Sequence, residues 1–179
     1  SVKEEKIDEE EQIDIIKRYL EKNNIKYDRV RKGKFEGQYK IDYTIKENAK
    51  ISIVIPNMDH IEDLEKAINS ILKSSYKNYE IVVVENNSKN QETFEYYEKI
   101  KKQDARIKVI KMEIKEFNYS KIVNFGVENS EGEYIVLLNN DIEVITNDWL
   151  EQMLMYVQRK SVGICGAKLY FNDRSIQHA

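Results

Sequence analysis

The side chains of this chain best suited to chemistry are acids and amides that follow short apolar runs. They lie in Pro56-Asn57-Met58-Asp59, in Glu85-Asn86-Asn87-Ser88 and in Asn139-Asn140-Asp141. A carboxylate can accept the N–H of a pyrimidine base or ribose hydroxyls. A second carboxylate beside amide oxygens can hold a hard divalent cation, which in turn binds a diphosphate. Each short motif is weak alone, so the ordered set carries the prediction of a nucleotide-diphosphate site.

The glycine-rich motifs of other nucleotide sites are missing from the sequence. No G-x-G-x-x-G follows the first apolar run, and no G-x-x-x-x-G-K-[ST] occurs anywhere. The usual dinucleotide cradle is therefore excluded. A nucleotidyltransferase would need a glycine-rich first loop bearing Arg or Lys, and Pro56-Asn57-Met58-Asp59 lacks one.

The elements that must position these residues alternate along the chain. Four apolar runs predict strands, and the segments between and after them have helical spacing. Near-continuous Val, Ile and Leu runs joined to helices by short connections predict an α/β fold with a doubly wound, mostly parallel sheet covered by helices on both faces. Ligands bind such sheets at the carboxyl ends of the strands, which brings the candidate residues to one edge. The predicted strands are 51–56, 79–84, 107–110 and 133–138, and the predicted helices are 60–73, 90–102, 119–129 and 149–157.

The first 48 residues differ from the rest. Residues 8–24 have the apolar spacing of an amphipathic helix, Arg29 to Gly37 is a basic stretch predicted as a loop, and residues 39–45 alternate like a half-buried strand. This segment has too few apolar residues for its own core. We therefore expect residues 1–48 to form an N-terminal extension packed on a domain of residues 49–179.

Composition narrows the function classes. The chain has 179 residues and a net charge of −3, with 29 Lys and Arg against 32 Asp and Glu, which gives no case for a nucleic-acid partner. The single cysteine, Cys165, excludes an intramolecular disulfide and fits a reducing compartment. The sequence shows neither an apolar signal core nor a membrane-length apolar run, so a soluble, cytoplasmic protein is expected. Peripheral association of a longer protein with the inner face of the membrane stays open.

Several blocks together resemble family 2 glycosyltransferases of the Rossmann-like GT-A type. The resemblance begins near residue 50 and extends to residue 179, and the order of the blocks makes it specific. It implies an inverting, hexosyl- or rhamnosyl-type transfer from a UDP- or dTDP-sugar to a saccharide or lipid-linked acceptor. The last two blocks resemble enzymes that build bacterial surface polysaccharides. The blocks are Ile51–Pro56, Ala67–Leu72, Tyr79–Ser88, Phe117–Gly126, Gly132–Glu143, Gly166–Tyr170 and Ile176–Ala179.

The resemblance also implies roles for individual residues. Pro56 and Asn57 fall where the first loop of the family touches the nucleotide base, and Glu85 falls at the acid that reads the base. Asn140 and Asp141 fall in the D-x-D metal motif, with Asp141 at its second acid as the expected ligand of Mg²⁺ or Mn²⁺. Asn118 and Lys121 lie in the segment that approaches the diphosphate.

Two departures from the family pattern keep other functions open. Asn139 replaces the first acid of D-x-D. The family's general base lies further downstream, so the resemblance places it beyond residue 179, leaves the catalytic residues unknown and suggests a truncated domain. A non-catalytic GT-A-like binding module is therefore the main alternative, with a nucleotidyltransferase behind it.

Ordinary structural roles compete with these assignments. Asp141 and Asn118 are also suited to capping a helix, and Lys121 to a solvated surface. Tyr96, Tyr97 and Tyr119 are interpreted as core residues rather than as a platform for a sugar.

Overall fold

The computed structural model describes residues 8–45 and 48–178. Contacts divide these residues into two compact units. Residues 48–150 form one, here called the sheet unit, and residues 8–45 with 151–178 form the other, here called the hairpin unit. Residues 151–178 therefore group with the N-terminal residues. The expected single domain over 49–179 stays a prediction.

The hairpin unit contains one helix followed by an antiparallel pair of strands. Helix α1 (Glu9–Lys22) begins after Asp8, whose carboxylate caps it by accepting the Glu9 N–H. Strands β1 (Tyr27–Lys32) and β2 (Tyr39–Tyr43) then pair with each other.

The prediction of a loop from Arg29 to Gly37 is wrong for its first half, because Arg29 to Lys32 belong to β1. Asp42 on β2 receives Arg29 Nη2 at 2.9 Å and Arg31 Nε at 3.2 Å, and Val30 between them is buried. Pairing of β1 with β2 brings Asp42 next to Arg29 and Arg31. The positive charges that suggested a loop are therefore neutralised within the strand pair.

The sheet unit confirms the predicted α/β fold. Its four strands are all parallel and lie in the order β5-β4-β3-β6. The elements are β3 (Ile51–Asn57), α2 (Ile61–Ile71), β4 (Tyr79–Glu85), α3 (Gln91–Gln103), β5 (Ile107–Lys111), α4 (Tyr119–Glu128) and β6 (Tyr134–Leu137). Helix α5 (Trp149–Val157) follows and contains the boundary between the units. A short antiparallel pair, β7 (Leu169–Tyr170) and β8 (Ile176–His178), completes the hairpin unit.

The two central strands are the core of the sheet unit. Every residue of β4, and every residue of β3 except Pro56, is buried, as expected for parallel strands covered on both faces. Helix α4 packs on Val54 and Val84 through Ile122 and Val123. Because successive side chains alternate between faces, the opposite face carries Glu85, which α3 contacts through Tyr97.

Burial is weaker at the edge of the sheet. On β6, Ile135 is 38% exposed and Leu137 is 52% exposed, whereas Ile53 on the neighbouring strand is fully buried. No helix within 8–45 and 48–178 combines the length and apolar character needed to cross a bilayer.

Candidate functional site

The order of the strands creates a switch point beside β3. The chain adds β4 and then β5 on one side of β3 and returns to place β6 on the other, so the strand order reverses between β3 and β6. Crevices at the carboxyl ends of such strands are the usual ligand sites of α/β sheets. The three candidate loops begin at the carboxyl ends of β3, β4 and β6.

Hydrogen bonds beyond the ends of the strands hold these loops. The Asn86 N–H donates to the Asn57 carbonyl at 2.9 Å, and the Leu138 N–H donates to the Val54 carbonyl at 3.0 Å. After Asp141, the Val144 N–H donates to Ser70 Oγ at 2.9 Å. The segment that carries Asn139, Asn140 and Asp141 is therefore fixed at both ends.

Glu85 is buried, with 2% of its surface exposed. One carboxylate oxygen accepts the Ser88 N–H at 2.6 Å, and the other accepts Ser88 Oγ at 2.5 Å and the Tyr97 hydroxyl at 2.7 Å. Both oxygens therefore bind groups of this chain, and Glu85 fixes the shape of the loop after β4.

The hydrogen bonds continue from Glu85 to the segment after β6. Asn57, which is 3% exposed, donates Nδ2 to the Tyr97 hydroxyl at 2.8 Å. Its Oδ1 accepts Nδ2 of Asn140 at 2.7 Å. Burial raises the pKa of the Tyr97 phenol far above its ordinary value, and Glu85 adds to the rise, so this hydroxyl keeps its proton. The chain Glu85–Tyr97–Asn57–Asn140 is called the amide relay below.

Asp141 lies next to the relay and is exposed, as is Asn139. Within the described residues no group of three or more His, Cys, Asp or Glu side chains is arranged to hold a metal ion. The side-chain oxygens of this segment that could hold a cation are the carboxylate of Asp141 and the amide oxygens of Asn139 and Asn140. Mg²⁺ is commonly bound by one or two carboxylates with substrate phosphates and water. The residues present thus fit a cation that shares its coordination with a diphosphate.

Asp59 has a positive φ of 62°, and the sequence predicted no role for it beyond its place in the first candidate loop. Its carboxylate accepts the Asn90 N–H and the Lys89 N–H, both at 3.0 Å, and the Thr93 hydroxyl at 3.2 Å. The Asn90 hydrogen bond is the largest of the effects that lower the pKa of Asp59. Since Asn90, the N-cap residue of α3, makes no side-chain capping bond, Asp59 serves that helix from the β3 loop.

The predicted site residues fall into two groups. Hydrogen bonds join Asn57, Glu85 and Asn140, with Pro56 preceding Asn57 on β3 and Asp141 following Asn140. The structure does not link Asn118 and Lys121 to this set.

Asn118 instead caps helix α4, where its Oδ1 accepts the Lys121 N–H at 3.0 Å, and the Lys121 side chain is exposed. Tyr119, which begins the helix, is 42% exposed, so its prediction as a core residue is wrong, whereas Tyr96 and Tyr97 are buried. The first residue of a helix often faces solvent despite an apolar side chain.

The fold is that of solved GT-A glycosyltransferases. A solved mannosyltransferase from Pyrobaculum calidifontis, in complex with GDP-Man and Mn²⁺, has a TM-score of 0.58 and 17% identity over 66% of this chain and 35% of its own. The S. aureus protein TarS, residues 1–349 in complex with UDP-GlcNAc, has a TM-score of 0.54 and 23% identity over 61% of this chain and 31% of its own. These likenesses establish the fold.

The sequence then identifies the family. The profile of glycosyl transferase family 2 matches residues 52–177, and the chain belongs to that family. The O-antigen biosynthesis protein RfbC of Myxococcus xanthus is 34% identical over 143 residues, which are 79% of this chain and 11% of that protein. This chain therefore matches only a small part of its curated relatives: 11% of the length of RfbC and 14% of the length of a second relative.

Proposed function

We propose that this chain binds a nucleotide-diphosphate sugar for transfer of the sugar, with inversion, to a saccharide or lipid-linked acceptor in the synthesis of a bacterial surface polysaccharide. The observation that carries the proposal is the placement of Asn57, Asn140 and Asp141 at the switch point of the sheet. Family membership and the RfbC relative, an O-antigen biosynthesis protein, support it.

We assign the phosphate side of the site to Asp141 and Asn140. These residues would hold Mg²⁺ or Mn²⁺ through the exposed carboxylate and the amide oxygen. A divalent cation there would act as a Lewis acid that stabilises charge on the departing diphosphate. Lys121 and Asn118 remain candidates for contact with the same phosphates.

We assign the base side of the site to the loops after β3 and β4. Pro56 and Asn57, at the end of β3, would line it. Because Ser88 and Tyr97 bind both oxygens of Glu85, we propose that Glu85 shapes the wall of the base site through the loop it holds. We attribute the preference for UDP or dTDP to the residues on this side of the site. No described residue is assigned as the general base.

The test is the release of a nucleotide diphosphate. The chain is incubated with UDP-GlcNAc, dTDP-rhamnose or GDP-Man, with and without Mn²⁺, and the products are separated by chromatography. We expect Mn²⁺-dependent release of the nucleoside diphosphate from one donor, with water accepting the sugar in place of the natural acceptor, and at least a hundredfold loss in Asp141→Ala. The exposed Glu143 two residues on provides the matched control Glu143→Ala, which is expected to keep the activity.

One observation favours the binding-module alternative. The structure offers a single carboxylate where the family motif has two acids, since residue 139 is asparagine. A module would bind the nucleotide without releasing product. Consumption of UTP and a sugar 1-phosphate, with release of pyrophosphate and formation of the UDP-sugar, would instead indicate nucleotidyltransferase chemistry.

A further inference from the structure

Tyr97 lies on helix α3, behind the loops of the site, and its hydroxyl hydrogen-bonds to side chains at the ends of two strands. It donates to Glu85 at the end of β4 and accepts from Asn57 at the end of β3. Asn57 in turn accepts from Asn140 after β6. The side-chain hydrogen bonds that run from Glu85 through Asn57 to Asn140, and so across three strand ends, therefore pass through one buried hydroxyl.

The direction of every hydrogen bond in the amide relay follows from its two buried members. A carboxylate only accepts, so the phenol, which has one proton, must donate to Glu85 and can only accept from Asn57. Asn57 must then present Nδ2 to Tyr97, which leaves its Oδ1 to face Asn140. That oxygen requires a donor.

The consequence appears at the end of the relay. Asn140 must donate an N–H of its amide to Asn57 Oδ1, at 2.7 Å. In the part of the chain that the structure describes, its carboxamide oxygen has no hydrogen-bond partner, and the exposed Asp141 follows directly. Hard divalent cations prefer oxygen ligands, so an amide fixed with its nitrogen inward offers the useful atom.

We propose that Tyr97 is a positioning residue that orients the Asn140 amide oxygen beside Asp141, and that this oxygen is a second ligand of the cation, in compensation for Asn139, which replaces the first acid of the family motif. This inference rests on the proposed function. In this proposal, a buried tyrosine on α3 contributes to the dependence of nucleotide binding on the metal ion. The reversed amide would present N–H groups, which repel a cation.

The substitution Tyr97→Phe tests the relay because it removes the hydroxyl and keeps the ring, which packs edge-on against Phe94 with centroids 6.2 Å apart. Tyr96→Phe is the matched control: Tyr96 is also buried on α3, and its hydroxyl lies outside the relay. Asn140→Ala removes the amide at the half-buried end of the relay while leaving Tyr97 in place.

Two measurements are made on each variant. The first follows the side-chain amide resonances of Asn57 and Asn140 in ¹⁵N-labelled protein. We expect both to move in Tyr97→Phe and neither to move in Tyr96→Phe. The second compares UDP affinity with and without Mn²⁺ by calorimetry. We expect Tyr97→Phe and Asn140→Ala to lose about tenfold more UDP affinity in the presence of Mn²⁺ than in its absence.

The outcomes separate this inference from the proposed function. An Asn140 resonance that stays in place in Tyr97→Phe overturns the relay, as does an equal loss of UDP affinity with and without Mn²⁺, since a merely structural residue would act on both. If the wild-type chain gains affinity from Mn²⁺ and Tyr97→Phe keeps the whole gain, only the relay falls. If the wild-type chain gains nothing from Mn²⁺, the proposed function and the metal role of the relay fall together.

Discussion

At the scale of single residues, Glu80 is a buried acid in the middle of a sheet. It is 6% exposed, and Oε1 accepts Ser52 Oγ and the Glu131 N–H, both at 2.6 Å, while Lys108 Nζ lies 3.1 Å from Oε2. Burial by itself raises the pKa of this carboxyl, but the three partners outweigh it, and the pKa lies below its ordinary value. The ion is therefore stabilised by the native fold.

The sign of the pH dependence follows from that direction. A carboxyl whose pKa is depressed in the folded state contributes stability that is complete above its ordinary pKa near 4.5 and is lost as the pH falls through the lowered value. We expect Glu80→Gln to cost about 1–3 kcal/mol at pH 7 and much less at pH 3, measured by urea unfolding at both pH values. The exposed Glu128→Gln is the control. An equal cost for Glu80→Gln at both pH values would contradict this account.

Residue by residue, the sequence predicted types of side chain better than it predicted partners. Tyr97 was predicted as a core residue, and its ring is buried, but the role of its hydroxyl was missed because apolar periodicity does not register one polar atom. Asp59 was missed for another reason. Its importance comes from a left-handed backbone and from contacts some thirty residues away, and neither leaves a local pattern.

At the scale of elements, the start of α3 depends on Asp59. Asp59→Gly removes the carboxylate without straining the positive φ, and we expect it to lower the free energy of unfolding by about 0.5–2 kcal/mol, the usual value of a helix-capping side chain. Asp59→Asn keeps an acceptor oxygen and tolerates the same backbone, so it should lose less. Urea unfolding measures both. Glycine and asparagine variants of equal stability would show that the capping bonds contribute nothing.

Helix α4 approaches the sheet closely at Gly126. A Cβ at this position would lie 2.4 Å from Cγ1 of Val54 and 2.9 Å from Cγ2 of Val84. We therefore expect Gly126→Ala to destabilise the sheet unit by about 1–3 kcal/mol, the usual cost of overpacking, measured by urea unfolding. Gly163 has open space around its Cβ position, so Gly163→Ala is the control and should be close to neutral. A tolerated Gly126→Ala would mean that α4 lies further from the sheet.

Local pattern was enough to find most elements of the sheet unit. The predicted helix 149–157 matches α5, and the predicted strand 51–56 differs from β3 by one residue. Strand β1 was missed because Arg29 and Arg31 become favourable in a strand only through Asp42 on the partner strand. A sequence window of neighbouring residues does not contain the partner strand, so it cannot predict stabilisation of that kind.

At the scale of the whole molecule, the site follows from topology more than from any motif. Parallel strands deliver their carboxyl ends to one edge, so placing the loops of Asn57, Glu85 and Asn140 together needed only the correct fold. Whether a side chain at that edge faces the ligand or the interior depends on packing from behind. This is why Glu85, interpreted as a residue that reads the base, turned out to be enclosed by Ser88 and Tyr97.

The central claim is a metal-assisted nucleotide-diphosphate site at Asp141. Its most direct test is the thermal stability of the chain with UDP, Mn²⁺ or both, compared with Asp141→Ala and the control Glu143→Ala. Ligand at a hundred times its dissociation constant stabilises the native state by about 2.7 kcal/mol. We predict a rise in melting temperature that requires UDP and Mn²⁺ together, is lost in Asp141→Ala and persists in Glu143→Ala. A rise that Asp141→Ala keeps in full would contradict the claim, as would the absence of any rise with UDP, dTDP and GDP in the presence of Mn²⁺.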